Sequence, residues 1–353
     1  MRVFCYGAGA VGSLLGGRLS AAGHDVTLLA RPDSAAALRQ HGLTIALSDG
    51  SALRALPRVV TEMAEASPAA PPPDLIIVAV KGYDTAAAAP EVARACGPRT
   101  AILSVQNGLG NEELLAAAMG AGRVIAGSFT LSVAMAEPGR VAQHTTSGGL
   151  ALAEVETSGG DRLARLVRAF EGAGMRAVAC PDWRAMKWSK LLLNLLANAS
   201  CAILSMSPAE VFADARLFRL EQRAFREARR TMRRLGLRPV DLPGYPVRLL
   251  CGAMGLPAPL ARPLIAARAA GGRGDKPPSL ALDVARGRSE VAFLNGAVAR
   301  AAAEIGMPAP VNALLASTLE GIVRGVLNPA EFHRRPEALL GALRSSSARV
   351  RQG

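Results

Sequence analysis

Short apolar runs alternate with amphipathic stretches through the first half of the chain. Arg2 to Tyr6 (RVFCY) reads as a strand, and the spacing of Leu14, Leu15 and Leu19 predicts a helix ending at Gly23. Asp25–Ala30, Leu75–Val80 and Ala101–Val105 read as further strands, each set off by a polar or helical segment. Val124–Ala126 and pieces around Gly139–His144 and Gly149–Val155 extend the same region, and the SPAAPPPD stretch reads as a loop. Strands alternating with helices imply an α/β domain over residues 1–180, an N-terminal doubly wound (Rossmann-type) parallel sheet. After Cys180-Pro181 the period changes. Trp183–Ile203, Pro208–Leu235, Ser279–Ile305 and Pro310–Arg324 carry helical patterns, which predicts an all-helical C-terminal domain over residues 181–343. Six prolines between Gly236 and Lys276 predict irregular loop with short helices there, and residues 344–353 read as a disordered tail.

Composition narrows the function classes. Half of the 353 residues are hydrophobic, enough to bury a core without disulfides or a metal. The five cysteines are scattered and unpaired in spacing, which predicts reduced thiols and a cytoplasmic protein. The four histidines make no ligand cluster, so no metal is expected. Met1 leads straight into a strand pattern, which predicts no signal peptide. The longest apolar run, Leu191 to Leu204, is interrupted by Asn194, Asn198 and Ser200 and is too short to span a bilayer. The formal charge of +13 is spread along predicted helices among acidic residues, and aromatics are only 4% of the chain. Without a stacking platform, that balance favours small anionic ligands over nucleic acid or membrane.

Lysine is scarce. Of 41 basic residues only Lys81, Lys187, Lys190 and Lys276 are lysine. In an arginine-rich chain, lysine is expected to persist where a proton must be released, which a guanidinium cannot do near neutral pH.

The turn after the first strand is Gly7-Ala8-Gly9-Ala10-Val11-Gly12, between a strand and a helix, with a second strand complete by residue 30. In that context the glycines predict dinucleotide binding. Gly7 serves the tight turn, Gly9 the approach of a pyrophosphate, and Gly12 close helix–strand packing. At the end of the second strand an acidic residue would bind the ribose 2′-hydroxyl of NAD. The chain has Arg31, suited to the 2′-phosphate of NADP(H), while Asp33 nearby keeps NAD open.

Two more strand ends carry polar residues, Lys81 after Val80 and Asn107 in VQNGLGN, where ligands of open α/β sheets lie. In the second half, Lys187, Lys190, Asn194 and Asn198 fall within about 80° on one continuous helix, among leucines and alanines. Burying such a stripe costs several kcal/mol unless each group finds a partner, and burial moves a lysine toward useful proton transfer. The stripe does not choose between Lys187 and Lys190.

These residues together resemble the ketopantoate reductases (2-dehydropantoate 2-reductases), NADPH-dependent enzymes of pantothenate biosynthesis. The resemblance runs through GAGAVG, LLAR, VKGYDT, SVQNGLGNEE, EPGRVAQHT, KWSKLLLNLLANA, KPPSLALDVARGRSEVAFLNG and GMPAPVN, nearly the whole chain. It implies Lys190 as general acid and Glu290 as the carboxylate that accepts from a substrate hydroxyl and lies by the cofactor. It implies Asn107, Asn194, Asn198 and Ser279 as substrate ligands, and Asn107 and Lys81 beside the cofactor. Ser279 and Glu290 rest on the resemblance alone. The segment from Asp283 to Glu290 is shorter than the family pattern, Ala292 replaces an acidic residue, and the proline-rich region is longer.

The expected reaction is NADPH-dependent reduction of 2-dehydropantoate to pantoate in a cleft between the two domains. The alternatives are the same chemistry on another 2-oxo or 3-oxo acid, a non-catalytic NADP(H) sensor, and a nucleic-acid binder. A second copy of the chain is the candidate protein partner.

Overall fold

A computed structural model describes residues 1–66, 71–157, 159–272 and 278–350. Lys276 and residues 67–70 of the proline loop lie outside the described residues. Contacts divide the chain into two compact units. The first holds Met1–Gln106, Gly110–Lys187 and Leu242–Tyr245; the second holds Asn107–Leu109, Trp188–Asp241 and the chain from Pro246 onward.

In the first unit the strands are β1 (Arg2–Tyr6), β2 (Asp25–Leu29), β3 (Leu43–Ala46), β4 (Ala52–Ala55), β5 (Arg58–Val60), β6 (Leu75–Val78), β7 (Ala101–Ser104), β8 (Val124–Phe129), β9 (Val133–Glu137), β10 (Arg140–Gln143), β11 (Leu150–Glu154) and β12 (Ala177–Ala179). The helices are α1 (Ala10–Ala21), α2 (Pro32–His41), α3 (Thr85–Ala95), α4 (Asn111–Met119), α5 (Arg162–Gly172) and the start of α6 (Trp183–Leu195). Eight strands form one sheet in the order β12-β11-β8-β7-β6-β1-β2-β5. It is parallel except where β11 runs against β8. The residues explain the layering. LIIV in β6 is buried throughout, as a central strand covered on both faces must be. Val3 and Cys5 point to the face packed by Leu14, Leu15 and Leu19 of α1. Phe4, Ile76 and Ile102 point to the face packed by Val92 and Leu115.

A second sheet is ordered β4-β3-β10-β9; of its strands the sequence shows only β10, the piece around Gly139–His144, and not that it leaves the main sheet. Its strands have only four or five residues and weak alternation, and its centre pairs β10 with β3 from far along the chain.

The second unit is helical: the rest of α6, then α7 (Asn198–Leu204), α8 (Pro208–Ala213), α9 (Ala215–Arg234), α10 (Val247–Ala253), α11 (Ala258–Gly272), α12 (Ser279–Val284), α13 (Asn295–Glu304), α14 (Pro310–Val323) and α15 (Pro336–Val350). The long helices expected here are cut into shorter ones. Trp183–Ile203 breaks at Ala197, whose φ of 54° is left-handed. Pro208–Leu235 breaks at Asp214, whose carboxylate accepts from the Arg216 and Leu217 N–H groups and caps α9. Ser279–Ile305 becomes α12, a 3-10 turn at Val291–Phe293, and α13. The proline-rich region is more ordered than expected. Pro246, Pro257 and Pro259 fall at or before helix starts, where a missing N–H costs nothing, and α11 carries Pro263 internally. α15 continues to Val350 through much of the expected tail, since extending a started helix is cheap; residues 351–353 lie outside the described residues. Among the described residues no helix is long and apolar enough to cross a membrane.

Candidate active site

In the first unit the β1–α1 turn is shaped by side chains that are missing. Gly7 has φ +110°, and a Cβ there would lie 2.9 Å from Val80 Cγ1. A Cβ on Gly12 would lie 2.0 Å from the Gly7 carbonyl oxygen, so α1 starts as close to the turn as backbone permits. A Cβ on Gly9 would meet nothing within 4 Å. Gly9 therefore faces open space at the N-terminus of a twelve-residue helix, whose first turn carries no acidic residue and no side-chain cap. Ala8, Ala10 and Val11 complete this wall, with the Ala8 N–H bonded to the Leu29 carbonyl at 2.9 Å. Backbone N–H groups, a positive helix end and the side-chain-free surface at Gly9 fit a dinucleotide pyrophosphate.

Strand register sets the neighbouring loops. Tyr6 pairs with Leu29 on one side and Val78 on the other, so β6, β1 and β2 end level. Arg31 follows β2, exposed, at the N-cap of α2. Lys81 follows β6, half-buried, at the start of the 3-10 turn Gly82–Asp84.

The two candidate lysines of α6 have different surroundings. Lys187 is 1% exposed, and its Nζ lies 2.8 Å from Glu112 Oε1 and donates to the Gln106 carbonyl at 2.5 Å. Ser104 also donates to Glu112, at 2.7 Å, and the Gln106 amide donates to Thr85 Oγ1 and the Val80 carbonyl. The Thr85 hydroxyl in turn donates to Asn111 Oδ1 at 2.8 Å. This buried network fixes the end of β7 and the start of α4. Helical spacing alone offers Lys187 and Lys190 as equals. Lys187 is committed to Glu112, whereas Lys190, one turn on, is half-buried.

In the second unit the predicted asparagines form a connected set. Asn194 Nδ2 donates to Asn107 Oδ1 at 3.1 Å. Asn198 Nδ2 donates to the Asn194 carbonyl at 3.0 Å and to Ser279 Oγ at 3.3 Å, and its Oδ1 accepts from the Leu280 N–H. Asn198 is thus not on the same helix as Asn194, as expected, but opens α7 after the Ala197 break and caps the start of α12. The Asn107 turn is pinned as well. The Leu109 N–H donates to the Phe293 carbonyl at 3.0 Å, and a Cβ on Gly108 would lie 2.4 Å from that oxygen. Phe293 closes the 3-10 turn that begins directly after Glu290, which is buried at 3% exposure. At Ala292, where the family pattern has an acid, the backbone carbonyl accepts from Arg300.

Sequence reasoning missed Glu112 and Glu221. Glu221 accepts from the Ala197 N–H at 2.7 Å and from the Ser200 hydroxyl. An acidic residue amid the apolar positions of α9 was the available signal for Glu221; for Glu112, beside a second glutamate, there was none.

Comparison with known proteins agrees across both halves. The family profile described as "Ketopantoate reductase PanE/ApbA" matches residues 3–157, and its C-terminal counterpart matches residues 182–323. The 2-dehydropantoate 2-reductase of Pyrococcus horikoshii is 30% identical over 320 residues, 89% of this chain and 95% of that protein. The enzyme of the same name from Halobacterium salinarum is 34% identical over 204 residues; the match covers 58% of this chain and 65% of that one. Among solved structures, a PanE/ApbA family ketopantoate reductase from Ralstonia eutropha JMP134 superposes with TM-score 0.77 at 28% identity, over 92% of this chain and 99% of that one. D-mandelate dehydrogenase, solved with NADH and anilino(oxo)acetate, shares the fold with TM-score 0.74 at 19% identity, over 92% of this chain and 99% of its own.

Proposed function

The chain belongs to the ketopantoate reductase family of oxidoreductases, and on that premise we propose that it reduces 2-dehydropantoate to pantoate with NADPH. The observation that carries the reading is the pairing of a hydrogen-bonded set, Asn107, Asn194, Asn198 and Ser279, with a lysine one turn away on α6. Lys187 is paired with Glu112, which supports Lys190, the lysine the resemblance implies, as the general acid.

The roles follow from donor chemistry. Gly7 to Gly12 would hold the pyrophosphate, Arg31 the 2′-phosphate, and Lys81 would lie beside the cofactor. The bound reduced nicotinamide supplies the hydride. Asn194, Asn198 and Ser279 would bind the oxygens of the oxo acid, and Asn107 would orient both nicotinamide and substrate. The Lys190 ammonium would hydrogen-bond the ketone oxygen and give it a proton as negative charge develops there, where stabilisation counts most. Glu290 would accept from the substrate hydroxyl, lie by the cofactor, and help keep Lys190 charged.

One observation favours a second reading, the same reduction on a different 2-oxo acid. Ala292 and the short Asp283–Glu290 segment alter the part of the sequence on which recognition of the hydroxyl rests. The deciding experiment follows NADPH oxidation across 2-oxo acids with and without that hydroxyl, in the wild type and in Lys190→Ala. We expect 2-dehydropantoate to give the highest kcat/KM. Lys190→Ala should lower turnover by roughly 10²–10⁴ with NADPH affinity preserved. Turnover within a few-fold of the wild type would remove Lys190 as the acid.

A further inference from the structure

The bond between Asn194 and Asn198 depends on an irregular piece of backbone. Ala197 sits between α6 and α7 at φ 54° and ψ 11°. For a residue with a Cβ that conformation is strained, so it persists only where its surroundings hold it. The break gives the Asn198 side chain its contacts. With the chain turned there, Asn198 reaches back to the Asn194 carbonyl and outward to Ser279 Oγ and the Leu280 N–H. An uninterrupted helix would bond the Ala197 N–H to the carbonyl four residues earlier. Here that N–H is taken by Glu221, from α9, and Ser200 donates to the other oxygen of the same carboxyl.

We infer that Glu221 is a positioning residue for the oxo-acid site, holding the Ala197 kink that sets Asn198 against Asn194 and Ser279. Glu221 itself is 2% exposed and its side chain is engaged with the kink, so it acts through the backbone. Burial pushes its carboxyl up to about 7, against the pull of the two hydrogen bonds. Its work at the kink is to accept from the Ala197 N–H, which the single amide oxygen of a glutamine can also do while its NH2 donates to a reoriented Ser200 hydroxyl. The inference rests on the reading that Asn194 and Asn198 bind the oxo acid.

The test uses the full chain, 2-dehydropantoate as probe, and separate measurement of the oxo-acid KM and the NADPH Kd. Glu221→Leu removes the acceptor and should raise the oxo-acid KM about tenfold while the NADPH Kd stays within about twofold. Glu221→Gln should stay within about threefold of the wild type. Ala197→Gly lets the kink form without its acceptor, because glycine adopts positive φ freely. Adding it to Glu221→Leu should bring KM back toward the wild-type value. Should Glu221→Leu not fold, Glu221→Asp, one methylene short of the Ala197 N–H, takes its place with the same expectations. An unchanged KM in the folded Leu or Asp variant, or no recovery on adding Ala197→Gly, overturns the inference. Asn198→Ala separates the two levels. If it raises KM while the Glu221 variants do not, only the role of Glu221 falls. If it leaves KM unchanged, the substrate reading falls and this inference with it.

Discussion

The glycine turn and the region around α6 reach precise geometry by opposite means. Between β1 and α1 the shape comes from omission. Gly7 and Gly12 let backbone approach backbone, and the partners lie within a few residues or on the adjacent strand. Around α6 the shape comes from side chains supplied from a distance. Lys187 bonds a carbonyl 81 residues away, Asn194 an amide 87 away, and Ala197 a carboxyl 24 away. A region of the first kind is decided by its own sequence, whereas one of the second kind is decided only when the fold delivers its partners.

Substitutions in each region can break that contrast, and the largest effect is expected in the turn. Gly12→Ala forces a Cβ against the Gly7 carbonyl, a backbone atom that cannot yield, and should cost well beyond the roughly 1–3 kcal/mol of ordinary overpacking, leaving little folded protein. Gly9→Ala meets open space, so its Tm should match the wild type while NADPH binding weakens about tenfold or more, the Cβ filling the cradle. Equal thermal shifts in the two variants would refute the division of labour between these glycines.

Next comes the network of distant partners. Lys187→Met strands the Glu112 carboxylate, whose Oε2 already lies buried without a hydrogen bond, and leaves the Gln106 carbonyl unmatched. A loss of about 3–5 kcal/mol is expected in denaturant unfolding. Adding Glu112→Gln should restore part of it by removing the uncompensated charge. A Lys187→Met protein of native stability would mean that the ion pair does not hold the β7–α4 junction.

The smallest effect is on cofactor choice. Arg31→Ala should weaken NADPH about tenfold and leave NADH nearly unchanged, with no shift in Tm because the side chain is exposed. Equal weakening of both cofactors by equilibrium titration would exclude the 2′-phosphate role.

The same contrast explains what could be read from the chain directly. The parallel sheet, the glycine turn and the positions of Arg31 and Lys81 at strand ends follow from local periodicity and turn chemistry, and the structure has them. Asn194 and Asn198 are legible as polar residues in apolar surroundings that need partners, and Asn107 as a polar residue at a strand end. Which partner each would find is not. Lys187 and Lys190 looked equivalent because helical spacing reports a face and not what meets it; Glu112 distinguishes them. The break at Ala197 was invisible because alanine and its neighbours favour continuous helix, and the opposing influence comes from α9. The small second sheet escaped for a related reason, since four-residue strands earn their pairing from β3–β10 contact across the chain.

The return of Leu242–Tyr245 to the first unit bears on how this protein can be taken apart. The Pro243 carbonyl accepts from Thr130 Oγ1 at 2.7 Å, and a Cβ on Gly244 would lie 2.7 Å from the Gly148 amide nitrogen. The nucleotide-binding fold therefore includes a four-residue clasp encoded well downstream of its last strand. A fragment ending near residue 180 would lack that clasp and leave the Thr130 hydroxyl only the more distant Gly149 carbonyl, at 3.1 Å, to donate to. In evolutionary and engineering terms the units are not beads on a string. Exchange of one for a homologous counterpart must carry the clasp with the sheet, and a circular permutant opened within 242–245 would sever it from one side.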